Sequence, residues 1–388
     1  MPQDIVLHKG VYKKTATLSE AVFMITGVTI GAGILGLPYA ISRVGLGIGL
    51  VSIVALGIIM LLLNLMLGEV VAKTKEPLQI PGLARKYLGP WAEYLLLFLI
   101  VSGSYGSLLA YMIGEGETAS QLLGGKPLWW SVFFWVIVGT VVWKGLEAAK
   151  RTQKLIGAAV IGLIIIVSFF IVPRGTAANI SYSNWSQLFF PFVVILFALH
   201  CVQAVAEAEA LLPGQPKKFR KALIIGTLIP IVVYVLFSAA VVSVTGLHTT
   251  EVATLGLGKV FGRGVVTGSN IFAMLAMGTA FVGLGIALKQ TFTWDLKFPQ
   301  WLATLLTLGV PLILFLAGMR SFIAILNIVG GVFISLEAIL TIAIYSKARQ
   351  KVHTCPQGFC FHHVWLAVIP VFAVFAFMGV WSMLDWIR

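Results

Sequence analysis

The groups in this sequence best placed to bind a small molecule are peptide groups rather than side chains. Gly27, Gly31, Gly33 and Gly36 crowd ten residues inside the first long apolar segment, and Pro38 follows. Relative to alanine in a helix interior, glycine costs about 0.8–1 kcal/mol and proline about 3 kcal/mol. A helix running through Gly27–Ala40 is therefore expected to unwind and free its peptide groups for binding. In lipid, unwound backbone is tolerated only against protein or a water-filled cavity. A break near the bilayer midplane marks the substrate site in many secondary transporters. Close helix packing is the other role that small residues play in a membrane. A second irregular segment follows Gln187: Pro191 stands in its first turn, and the Ala198–Gln203 region brings His200, Cys201 and Gln203 toward its middle.

Among side chains, acids inside apolar segments are functional suspects because burying them is costly. Glu207 lies a turn or two past the second irregularity, and Glu337 lies in the tenth apolar segment. Either could relay a proton, and either could instead be a carboxylate paired with a neighbouring helix. Glu69, Glu115 and Glu117 sit near segment ends, where pairing is the expected fate. His200 reads equally as a site group and as a hydrogen-bonded packing residue. Tyr105, mid-way along the third segment, could line a site or pack in the core. His353, Cys355, Cys360, His362 and His363 collect zinc-type ligands in one loop, but C-x4-C is marginal spacing for zinc, and an ordinary loop with no metal is expected. No H-E-x-x-H or G-x-S-x-G occurs, and the GSYG around Ser104 has no paired base, so an enzyme is not expected.

These groups need a frame, and the composition says which. The 388 residues are 59% hydrophobic and 11% charged, with a mean hydropathy of +0.99; average globular chains carry about 25% charged residues. So few charges cannot cover a soluble surface of this size, and the chain reads as an all-α integral membrane protein in the cell membrane, partnered by the lipid bilayer. Windows of about twenty apolar residues give eleven transmembrane helices. Thr17 and Glu20 have capping-box spacing ahead of the first. Leu78–Leu88 reads as a short amphipathic helix, and Thr249–Gly264 as a Gly-rich loop able to cap an entrance. Of the 27 Lys and Arg residues, 20 fall in one alternating set of loops and 7 in the other. This places the amino terminus in the cytoplasm and the carboxyl terminus outside. The net charge of +13 is thus a topology signal, and no nucleic-acid partner is expected. Three cysteines give no disulfide framework.

Segments one and six begin on opposite sides of the membrane, and both are interrupted. That pattern points to an inverted repeat with the site between its halves. The expected organisation is a cytoplasmic tail (1–16), a first five-helix repeat (17–172), an extracellular loop (173–187), a second repeat (188–346), a cytoplasmic loop (347–363) and an eleventh helix with an extracellular end (364–388). Helices one and six are discontinuous in this scheme.

Gly31-Ala-Gly-Ile-Leu-Gly-Leu-Pro-Tyr39 resembles the GxGIL-x-LP signature of the amino acid/auxin permease branch of the amino acid–polyamine–organocation superfamily. Phe197-Ala-Leu-His200, followed by Glu207, is similar to that branch's F-x-x-H pattern in its broken sixth helix. The resemblance covers about residues 15–350 and implies a LeuT-type 5+5 fold, alternating access, and amino acid uptake driven by protons or sodium. The free amides of Ala32, Gly33 and Ile34, flanked by Thr29 and Gly31, would then take the substrate carboxylate, since a helix N-terminus is a ready anion site. Carbonyls at Phe197, Ala198 and His200 would take the ammonium. The family's shared sodium site maps onto Gly27 and Ile30 of helix one and Ala276 and Thr279 of helix eight. Ala280 stands where a second hydroxyl is usual. Hard cations want several oxygen ligands, so proton coupling is favoured over sodium, with Glu207 and Glu337 as titratable candidates. Lys154 falls too early in helix five to replace the ion. No cofactor other than the coupling ion is expected. A sensor or a channel built on the same fold stays open, as do the oligomeric state and which amino acids bind.

Overall fold

The computed structural model describes residues 5–8, 11–14, 16–31, 33–74, 76, 78–250, 253, 262–319, 328–351 and 364–387. It is mostly helical. A two-stranded antiparallel hairpin, β1 (Ile5–His8) and β2 (Val11–Lys14), precedes the bundle, so the amino-terminal tail adds a small element to an otherwise helical chain. The Thr17–Glu20 capping box forms: Glu20 N–H donates to Thr17 Oγ1 at 3.3 Å, and Thr17 N–H donates to Glu20 Oε2 at 2.7 Å. It starts α1 (Leu18–Thr29), which is followed by α2 (Gly33–Val44), α3 (Leu46–Lys73) and the short α4 (Ile80–Tyr87).

Three long helices come next: α5 (Pro90–Leu123), α6 (Pro127–Lys144) and α7 (Leu146–Ile171). The last begins directly after Gly145, at φ +87°, so the basic stretch read as a loop up to Lys154 forms its first turns. A short α8 (Ala177–Ser181) leads to α9 (Phe190–Leu199), α10 (Ala204–Leu211) and α11 (Pro216–Thr245). Then come α12 (Gly262–Gln290), which continues into a π-helical segment Thr291–Asp295, and α13 (Gln300–Leu316). A second π-helical segment, Ile328–Phe333, opens into α14 (Ile334–Lys351), and α15 (Val364–Ile387) ends the chain.

Among the described residues, eight helices are long and apolar enough to cross a membrane, or nine when α1 and α2 count as one span bent by 55°. Gln300–Leu316 and Val368–Ser382 are shorter apolar helices. The protein is a multi-pass membrane protein. Val51, Phe98, Trp129, Phe169, Ile313 and Val380 are exposed large apolar side chains, of the kind that mark surfaces meeting a membrane or another protein. Inside, α1 packs against α7, α11 and α12, and α5 against α12. Lys73, Tyr345 and Arg349 gather on the fully buried Glu69: Lys73 Nζ at 2.7 Å, the Tyr345 hydroxyl at 3.2 Å, and Arg349 Nε at 4.0 Å. This network joins α3 to α14 and gives Glu69 the pairing expected of it. Most of Thr249–Gly264 and the whole His353–His363 loop lie outside the described residues.

Candidate functional site

The bundle is built around two places where helices stop. α1 ends at Thr29; Ile30 still donates to Thr26 O at 2.8 Å and Gly31 to Thr29 O at 3.0 Å, and the chain turns before α2 restarts at Gly33. Both glycines here allow close approach. A Cβ on Gly31 would lie 2.7 Å from the Ala280 Cβ and 3.0 Å from the Tyr111 hydroxyl. A Cβ on Gly33 would lie 2.6 Å from both Cα and Cβ of Ala198. The two roles weighed for this stretch, unwinding and tight packing, therefore coincide at the same residues. Ala32, between them, lies outside the described residues. Ile34 donates its N–H to Gly31 O at 3.3 Å, so one of the amides expected to be free has an internal partner.

α9 ends at Leu199, where His200 leaves the helical range at ψ 116°, and α10 begins at Ala204. The Tyr234 hydroxyl, fully buried on α11, lies 2.6 Å from Thr29 O and 2.9 Å from Ala198 O. It donates to carbonyls at the ends of both α1 and α9. Leaving such a buried acceptor without a donor would cost about 1–3 kcal/mol. Beside it, the fully buried Asn64 donates from Nδ2 to Cys201 Sγ at 3.1 Å and to Thr227 Oγ1 at 3.2 Å. Nothing in the sequence singled out Tyr234 and Thr227 on α11 or Asn64 on α3, two helices far apart in the chain.

Next to these interruptions lies a small cavity of about 30 Å³. A water needs roughly 10–15 Å³ on this measure, so the cavity has room for a water or two, and a larger ligand requires the helices to part. Phe197, His200 and Glu337, all predicted site residues, line it. His200 Nε2 lies 3.2 Å from Glu337 Oε2, at ion-pair distance though off hydrogen-bond alignment. Tyr105 is absent from its lining; α5 contributes Ser104, Ser107 and Tyr111 instead. Their i, i+3, i+7 spacing puts them on one helix face, a signal that was readable beforehand. Ser104 Oγ donates to Gln203 Oε1 at 3.3 Å and so ties α5 to the break between α9 and α10.

The predicted ion ligands fall nearby. Thr279 donates its hydroxyl to Ala276 O at 2.9 Å, and Ala280 is fully buried against Gly31. The Thr279 and Ala276 oxygens are thus side by side on α12, the helix that meets the end of α1 at the Ala280–Gly31 contact.

Glu207 lies elsewhere. It is buried on α10, hydrogen-bonded by the Gln79 side-chain amide, which also reaches Gln290 Oε1 at 3.2 Å. Asp295 accepts from the N–H groups of Gln79 and Gly82, each at 2.9 Å, and so caps α4. These contacts clamp α4 against α10 and the end of α12. α3, about 42 Å long at 1.5 Å per residue, separates this end from Arg43. There a wider recess of about 400 Å³ is lined by Tyr39, Arg43, Tyr182, Asn184 and Phe190 among others, with the Arg43 guanidinium 4.7 Å above the Tyr39 ring.

The tryptophan/tyrosine permease family model matches residues 14–381. The chain belongs to the tryptophan/tyrosine permease family. It is 24% identical over 381 residues to the tyrosine-specific transport system 1 of Haemophilus influenzae, covering 90% of this chain and 93% of that one. It is 21% identical over 355 residues to glutamine transporter 2 of Aliivibrio fischeri, covering 86% and 90%. In fold it is similar to MhsT, solved in complex with L-phenylalanine, with a TM-score of 0.68 at 15% identity over 95% of this chain and 98% of that one. The permease is thus an amino acid transporter rather than an enzyme, with a LeuT-type fold. The family agrees with the resemblance read from the Gly31–Tyr39 motif in pointing to amino acid transporters.

Proposed function

We propose that this permease takes up amino acids by alternating access, with aromatic amino acids as first candidates, and that uptake is driven by protons rather than sodium. The observation that carries this is the meeting of His200 and Glu337 beside the two helix interruptions. A titratable pair lining the cavity can exchange a proton while substrate binds to the peptide groups next to it. The substrate class is supported by the family and by Phe197, Tyr111 and Phe333 around the cavity. The substrate carboxylate would meet the amides at Ala32 and Gly33 and its ammonium the carbonyls near Phe197–His200. Helices one and six act as discontinuous spans of an eleven-helix, 5+5 inverted repeat with the repeat limits read from the sequence. The amino terminus is cytoplasmic and the carboxyl terminus extracellular. In this reading the Arg43 recess faces outward, and the Gln79–Glu207 contact closes the inner side. The amino acid/auxin side of the superfamily remains the proposed home of the Gly31–Tyr39 motif.

The test is accumulation of radiolabelled tyrosine, tryptophan and glutamine in proteoliposomes, with an inward proton gradient in sodium-free buffer. Uphill uptake with lumen acidification is expected. Binding without accumulation would indicate a sensor, downhill flux alone a channel, and uptake only with sodium would reverse the coupling assignment.

A further inference from the structure

Both interrupted helices end on the same hydroxyl. Thr29 is the last residue of α1, and Ala198 lies one residue short of the end of α9. Each carbonyl is therefore among the final acceptors of its helix, which lack the usual partner one turn on; Thr29 O is reached instead by the Gly31 N–H at 3.0 Å. The Tyr234 oxygen sits 2.6 Å from one and 2.9 Å from the other. A hydroxyl carries a single proton, so the two carbonyls share it. Freed helix-end carbonyls that converge on one point bind a small cation in transporters with broken helices. Here a phenolic O–H, delivered by α11, holds that point.

We propose that Tyr234 is a positioning residue standing in for a cation: its hydroxyl holds the ends of α1 and α9 together, which makes this junction independent of sodium. The inference deepens the proposed transport reading and rests on it. The surroundings suit a neutral strut. The Thr29 hydroxyl donates its one proton to Ile25 O at 2.7 Å, within its own helix. Thr227 lies two turns before Tyr234 on α11, and the Asn64 Nδ2 bonded to it belongs to the same buried polar group. Asn64 Oδ1 has no hydrogen-bond partner among the described residues. Removing the phenol oxygen would leave neutral oxygens of the kind hard cations use around a space that the hydroxyl had filled.

The test is Tyr234→Phe beside the wild type, in purified full-length protein, in sodium, lithium and choline chloride at one pH and ionic strength. The first readout is the thermal midpoint, which needs no substrate. The wild type should melt alike in all three salts. The variant should melt lower in choline and recover by about 3 °C or more in sodium or lithium, the scale on which a specifically bound ligand stabilises a folded chain. The second readout is binding of labelled tyrosine and tryptophan. The variant should lose at least tenfold in affinity in choline and regain at least fivefold in sodium or lithium; the wild type should change less than twofold.

A variant that matches the wild type in choline overturns the proposal, and so does one that no alkali cation rescues. A variant recovered folded in none of the salts overturns it too, because Tyr234 would then be a folding element rather than a substitute for an ion. Wild-type protein that binds neither amino acid would sink the substrate reading alone, since the melting comparison still judges the strut.

Discussion

His200 Nε2 lies 3.2 Å from Glu337 Oε2, which joins the residue that ends α9 to the first turn of α14. Glu337 is buried, and its Oε1 has no hydrogen-bond partner among the described residues. A carboxylate buried at this distance from an imidazole is costly to leave without that partner. Glu337→Gln should abolish proton-driven accumulation while leaving exchange of internal for external substrate. Wild-type uptake should fall as external pH rises, and uptake by the glutamine variant should be flat with pH. Counterflow and net uptake measured on the same proteoliposomes check both statements; a variant that still accumulates substrate uphill would remove Glu337 from coupling.

Gly33 approaches Ala198 so closely that any Cβ would lie 2.6 Å from its backbone Cα. Overpacking of this kind costs about 1–3 kcal/mol, and the neighbour is backbone that cannot rotate away. Gly33→Val is expected to lower transport at least about tenfold, since 1.4 kcal/mol is a factor of ten, while membrane insertion and surface expression stay intact. Initial uptake rates normalised to surface protein test this; wild-type rates would mean that the junction tolerates separation.

Thr279 and Ala276 already place two oxygens side by side on α12, and Ala280 adjoins them at Gly31. Ala280→Ser adds a third oxygen on that helix for a hard cation. Sodium should then stimulate uptake by the serine variant and leave the wild type unchanged at constant pH. Dose–response curves with sodium, replaced by choline, give the readout; a wild type that already requires sodium contradicts the proton assignment.

Asp295 accepts two backbone N–H groups at the start of α4. Loss of such a cap costs about 0.5–2 kcal/mol. Asp295→Ala should therefore loosen α4 selectively and speed amide hydrogen exchange over Ile80–Tyr87, with little change in α5 or α12. Uniform acceleration throughout the bundle would show instead that Asp295 supports the fold as a whole.

The sequence by itself determined the membrane class, the helical character and the place of the first interruption, because apolar length and Gly/Pro content act on the chain locally. Gly31, Gly33 and Pro38 could be read within one segment, and so could Pro191 and the Thr17–Glu20 cap. Phe197, His200 and Glu337 were each legible as residues of interest, but their meeting at one cavity was not. Tertiary structure alone decided that Tyr234 bridges Thr29 and Ala198, that Gln79 holds Glu207 away from the cavity, and that Ser104, Ser107 and Tyr111 line it in place of Tyr105. The reason is physical. Gln79 and Glu207 are 128 positions apart, and Tyr234 and Thr29 are 205. A hydroxyl or amide in an apolar helix looks the same in sequence whether it bonds its own preceding turn, as Thr279 does with Ala276, or a carbonyl on another helix. Only the packing of the bundle chooses between them.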